Sequence, residues 1–151
     1  MVQGATAVDG NTMYVNPQYS HHVWEYGLKE DKWTELPDCP QKGAGLAIIT
    51  GLLTAVGGRT IDGDATNTLV SLTKSRSKWT EHFPPMPVKL DDLTVVCICT
   101  GNHLLVTDVM KKLVYVMNTT SLKWFSAISL PFQLFCPSYS VSGLNTSHPC
   151  P

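Results

Sequence analysis

Few residues of this chain could do chemistry, and their spacing decides what each can do. His21-His22 is the one histidine cluster, with Tyr19 beside it. Two imidazoles could begin a metal site, but zinc takes three or four protein ligands and no further ones follow close by in sequence. A polar loop tip that touches a partner is the expected role. Cys97 and Cys99 stand two apart, so a strand would put both on one face. With no second pair or nearby histidine, they read as small buried hydrophobes. Cys39, Cys136 and Cys150 lie near prolines with no basic neighbour to lower a thiol pKa, and are expected to be inert. Asp62 and Asp64 in Ile61-Asp62-Gly63-Asp64 lack the alternating ligands and closing Glu of a calcium loop, so a solvated turn is expected.

The remaining motifs are weaker. Asn118-Thr119-Thr120 and Asn145-Thr146-Ser147 are glycosylation sequons of the kind a Ser/Thr-rich chain carries by chance. Pro84 and Pro87 match a PxxP ligand, but prolines stand at this place after every tryptophan of a repeat described below. The sequence shows no Ser-His-Asp set, phosphate-binding glycine loop or basic aromatic patch. No catalytic, cofactor-binding or metal-ligating residue is therefore assigned, and the chain is not expected to be an enzyme.

Composition narrows the classes further. The chain has 151 residues, 43% hydrophobic and 15% charged, too apolar to stay disordered. A net charge of -1 offers no long-range attraction to nucleic acid or an anionic membrane, so neither is an expected partner. Five cysteines are too few, and odd in number, for a disulfide scaffold. Met1-Val2-Gln3-Gly4-Ala5 lacks the basic and apolar parts of a signal peptide, and the apolar stretch from Leu46 to Val56 is too short to span a bilayer. The expected location is the cytoplasm, with cytoskeletal association open.

The elements that must position these residues repeat. Trp33, Trp79 and Trp124 recur at intervals of 46 and 45 residues. Seven residues before each stands Tyr26, Leu72 or Met117, and two before that Trp24, Val70 or Tyr115, an alternation expected of half-buried strands. Leu36-Pro37, Phe83-Pro84 and Leu130-Pro131 follow the tryptophans, and proline ends a strand because it cannot donate to the ladder. Upstream, Gly10-Asn11, Gly51 and Gly101-Asn102 each separate two strand candidates as a hairpin would. The middle unit is longer, the excess falling in the polar loop from Arg59 to Asn67. Four antiparallel strands per unit of about 45 residues make a β-propeller blade. The predicted fold is all-β, with almost no helix.

Within the middle unit, Thr54-Ala55-Val56-Gly57-Gly58-Arg59, Leu69-Val70-Ser71-Leu72, Lys78-Trp79 and Phe83-Pro84-Pro85-Met86-Pro87 resemble the kelch repeat. Its signature is a double glycine, here Gly57-Gly58, then spaced apolar residues, then a tryptophan. The other units have Asn16-Pro17 and Thr107-Asp108 where the double glycine is sought. The resemblance implies a protein-interaction module of the BTB-kelch type, adapting substrates to a cullin-RING ubiquitin ligase. The alternatives it implies are an actin-binding cytoskeletal protein and, further off, a propeller enzyme of the copper-oxidase kind, whose tyrosine, cysteine and histidine ligands are not found here. It also implies that the loops between second and third strands meet the partner. Arg59, directly after the double glycine, would grip an acidic side chain bidentately. Around it, Thr60, Asp62, Asp64, Tyr19, His21, His22, Asp108, Lys111 and Lys112 occupy the corresponding loops.

The predicted division is blade 1 over 1–40, blade 2 over 41–87, blade 3 over 88–131, and the start of a fourth over 132–151. Ser138-Tyr139-Ser140-Val141-Ser142-Gly143-Leu144-Asn145 resembles the first strand and hairpin of Thr6-Ala7-Val8-Asp9-Gly10-Asn11. A closed propeller needs at least four blades, so an open arc with exposed edges, prone to associate, is expected.

Overall fold

The computed structural model describes residues 4–91 and 95–131. Among them are thirteen strands and no helix. The first sheet holds β1 (Gly4–Asp9), β2 (Thr12–Pro17), β3 (Val23–Gly27) and β4 (Lys32–Leu36). The second holds β5 (Gly45–Ile49), β6 (Leu52–Val56), β7 (Leu69–Leu72) and β8 (Trp79–Glu81). The third holds β9 (Val95–Thr100), β10 (His103–Asp108), β11 (Leu113–Asn118), β12 (Lys123–Trp124) and β13 (Ile128–Ser129). Each sheet is antiparallel and runs in chain order. These are three four-stranded blades of a β-propeller segment.

The first strands β1, β5 and β9 lie side by side, which stacks the sheets face to face. Alternation along each strand then sends one set of side chains forward and one back. Ala5, Ala7, Tyr14, Val23 and Leu36 of blade 1 meet Leu46, Leu53, Ala55, Val70 and Leu72 of blade 2. On its other side, blade 2 sends Ala47, Ile49, Val56 and Leu69 against Leu104, Val106, Tyr115 and Met117 of blade 3. Strand β5 is covered from both sides and carries the uninterrupted apolar run Leu46-Ala47-Ile48-Ile49.

Two details differ from the sequence reading. The hairpin glycines are not equivalent. Gly10 and Gly101 take the first turn position, two residues before β2 and β10, whereas Gly51 takes the second, behind Thr50. Thr50 and Gly51 both have positive φ, the pattern of a type I′ turn, while a glycine alone at the first position is the type II′ pattern. The fourth strand of blade 3 is split: β12 and β13 both pair β11, with residues 125–127 between them. Trp124 stands seven residues before Pro131, against four from Trp33 to Pro37, and the surplus bulges out of the ladder.

Gly58 does what a double glycine is expected to do. Its φ is +88, and a Cβ there would lie 2.6 Å from the Lys42 carbonyl oxygen and 2.8 Å from the Ala44 nitrogen. Cys39 is buried and free. Cys99 departs from the expectation of a packed thiol: half-buried at the margin of the blade stack, its sulfur is oxidised in a disulfide. The expectations for the Cys97 side chain, for Cys136 and Cys150, for Asn145-Thr146-Ser147 and for the fourth blade lie outside what is described.

Candidate protein-binding face

The loops that follow the second strand of each blade emerge at one end of the stack, and hydrogen bonds tie those of blades 1 and 2 to the crossings between blades. In blade 1, Asn16 is 1% exposed and donates from Nδ2 to the carbonyls of Ser20 (3.1 Å) and His22 (2.8 Å), pinning the loop between β2 and β3. His21 Nδ1 donates to the Cys39 carbonyl at 2.7 Å, and the Cys39 amide answers to the His21 carbonyl at 2.8 Å. A carbonyl can only accept, so the His21 ring carries its proton on Nδ1. The loop is thereby fastened to the crossing between blades 1 and 2. That crossing bridges onward, Lys42 pairing Arg59 in the loop of blade 2. Blade 2's loop in turn reaches the next crossing, where the Gly58 amide donates to the Leu90 carbonyl at 2.9 Å.

Arg59 sits at the centre of this chain of contacts. Its guanidinium donates to the Gly63 carbonyl at 2.8 Å and to Asp91 at 3.1 Å. It thus spans its own loop and the following crossing, and an acidic partner would have to compete with Asp91. Thr60 closes the same loop through its amide, which donates to the Asp64 carbonyl at 2.9 Å. Asp62 and Asp64 are exposed. In blade 3, Asp108 is 2% exposed and its carboxylate caps the turn, accepting from the Lys111 amide at 3.0 Å. Asp108 therefore shapes the loop, while Lys111 and Lys112 stand exposed at its tip.

The fold also assembles what sequence spacing hid. His22 Nδ1 lies 3.1 Å from Glu35 Oε1 and 3.0 Å from Asp38 Oδ1. Among the described residues these three form the cluster that could hold a metal ion, their ligand atoms lying within 4.8 Å of one another. All three are exposed, and the same geometry serves a protonated imidazole between two carboxylates. Glu35 lies in β4, one residue before its end, and Asp38 opens the crossing, so the pairing of β3 with β4 brings them to His22.

Three exposed apolar tips complete the face. Tyr19, Ile61 and Met110 are 62%, 79% and 78% exposed, one in the corresponding loop of each blade. Tyr19 holds a φ of +63. Ile61 and Met110 had no sequence signal, because an isolated apolar residue in a loop looks like any other until its exposure is known.

A scan against protein-family models found no match. Kelch-like protein 15 of Danio rerio is 32% identical over 83 residues, covering 53% of this chain and 14% of that protein. The solved structure of YjhT superposes with a TM-score of 0.68 at 16% identity, covering 87% of this chain and 51% of its own. This chain therefore spans about half of the solved neighbour and a small part of the curated relative. Sheet order, interblade tryptophans and both likenesses converge on one architecture: the chain folds as a kelch-type β-propeller segment, and its likeness is to the kelch-repeat proteins.

Proposed function

We propose that this segment is a protein-interaction module that meets its partner with the loop end of the blade stack. The carrying observation is the set of apolar tips, Tyr19, Ile61 and Met110, in equivalent loops of three blades. Large exposed side chains ringed by charge are the anatomy of an interface, with apolar anchors at the centre and a polar rim around them. The rim here is His22 with Glu35 and Asp38, then Asp62 and Asp64, then Lys111 and Lys112. Hydrogen bonding from Asn16 through His21 to Arg59 holds the loops of blades 1 and 2 in place before binding, which lowers the ordering cost of association.

The partner in this reading is a protein delivered to a cullin-RING ubiquitin ligase in the cytoplasm, a role supported by the resemblance to kelch-like adaptors. The test is capture from cytosol by the immobilised chain, comparing it with the triple variant Tyr19→Ser, Ile61→Ser, Met110→Ser. Retention of one protein that the triple variant loses at unchanged melting temperature is expected, with that protein a substrate of such a ligase. Retention indifferent to the triple variant, and to Arg59→Ala, would refute this face. Filamentous actin as the retained protein would move the reading to the cytoskeleton, and copper-dependent turnover of alcohols would move it to an enzyme.

A further inference from the structure

We propose that His22, Glu35 and Asp38 form a zinc site that ties the loop between β2 and β3 to the crossing between blades 1 and 2. The donor set is one imidazole nitrogen and two carboxylate oxygens, drawn from three stretches of chain and lying within 4.8 Å of one another. The ladder places two of them. Val23 pairs Leu36 at the start of β3, so His22 continues the ladder opposite Pro37, and Glu35, two residues back, shares its face. Asp38 is fixed by a double clamp between chain neighbours. The Cys39 amide donates to the His21 carbonyl at 2.8 Å, and His21 Nδ1 donates to the Cys39 carbonyl at 2.7 Å. Each clamp residue adjoins a zinc ligand in sequence, and buried Asn16 holds the His22 carbonyl at 2.8 Å. The backbone carrying the donors is thus set before an ion arrives, as a metal site requires of its support.

The distances suit a shared cation better than a shared proton. His22 Nδ1 lies 3.1 Å from Glu35 Oε1 and 3.0 Å from Asp38 Oδ1. One N–H proton cannot lie along both lines, and a hydrogen bond weakens steeply as it bends, so a ring proton serves one carboxylate well and the other poorly. Donors about 2.1 Å from one zinc ion stand roughly 3.0 Å apart at a right angle and about 3.4 Å apart at the tetrahedral angle. Both nitrogen–oxygen separations fall in that range. The charges agree. Among the described residues neither carboxylate has a lysine or arginine within ion-pair distance, and one divalent ion balances the two. Imidazole nitrogen with carboxylate oxygen is a donor set for zinc, whereas calcium and magnesium take oxygen alone. All three side chains are half or more exposed, so the ion enters from solvent and water fills the fourth position. The tie acts within one chain and needs no partner.

Calorimetric titration of the full chain with zinc chloride tests this. One zinc ion per chain is expected, with a higher melting temperature in its presence, because the ion binds the folded chain in preference to the unfolded one. His22→Gln, Glu35→Gln and Asp38→Asn change little in size at exposed positions. Each is expected to weaken zinc binding at least about tenfold and to cancel the thermal gain, leaving the metal-free melting temperature in place. His82→Gln, at an exposed histidine just after β8, is expected to change nothing. Zinc is also expected to slow amide exchange at Cys39, whose N–H lies in the clamp beside the site. Cobalt in place of zinc is expected to show no thiolate charge-transfer band, which separates this site from cysteine ligation. A chain that binds no zinc, binding that survives all three substitutions, a cobalt thiolate band, or Cys39 amide exchange indifferent to zinc would overturn the proposal.

Discussion

Trp79 holds two blades together with a half-buried ring and one hydrogen bond to the Pro37 carbonyl. Trp79→Phe should therefore cost about 1 kcal/mol, the usual net value of such a bond, and urea denaturation would read it. Loss of stability like that of a cavity, about 3 kcal/mol or more, would mean the ring itself was displaced. Cys39 carries a second prediction. Burial pushes its thiol from 9.0 up to about 12; the backbone of Gln41 opposes the shift and the nearby Asp38 charge adds to it. Above pH 9 the unfolded chain gives up this proton while the folded chain keeps it, so stability falls between about 9 and about 12 as pH rises. The slope from this one group approaches about 1.4 kcal/mol per pH unit and should vanish in Cys39→Ala. Iodoacetamide at pH 8 should leave Cys39 unmodified until the chain unfolds. The interblade tryptophans were legible in sequence because their interval repeats. The grouping of His22 with Glu35 and Asp38 was not, since it depends on strand pairing across a turn.

At the scale of the strand and loop, Gly58 is the residue on which the partner face turns. Its amide holds Leu90, its carbonyl accepts from Thr66 at 2.9 Å, and its missing Cβ lets the crossing at Lys42 and Ala44 pass against it. Gly58→Ala meets both a positive φ and backbone atoms that cannot swing aside, so a loss of roughly 2–3 kcal/mol is expected in thermal unfolding. A change within about 0.5 kcal/mol would show that the crossing moves freely, and the loop end would then lack the rigidity argued for it. Strand alternation and proline exits made the blades readable before the fold was seen, because a period of two is dictated by the pleat itself. The split of β12 from β13 and the exposure of the loop tips were not readable. Both depend on how much chain each ladder must accommodate, which no local pattern records.

For the whole molecule, stability should be distributed as in other stacked repeats, where each unit is held by its own packing plus the faces it shares with neighbours. Blade 2 shares two faces and contributes to both apolar clusters. Among the described residues blade 1 shares one, with blade 2, and its β1 alternates half-buried and exposed residues where β5 is almost wholly enclosed. Opening blade 1 therefore uncovers one apolar layer, while opening blade 2 uncovers two, so the end blade opens at lower free energy. Amide exchange should rank protection accordingly, β5 to β7 slowest and β1 and β4 fastest. The ordering separates two causes of protection. If hydrogen bonding within each sheet governed exchange, β1 and β5 would exchange alike, since both pair their neighbours over their full length. A gradient from the middle blade outward would show that the interblade faces carry the stability, and uniform protection across the three blades would contradict it.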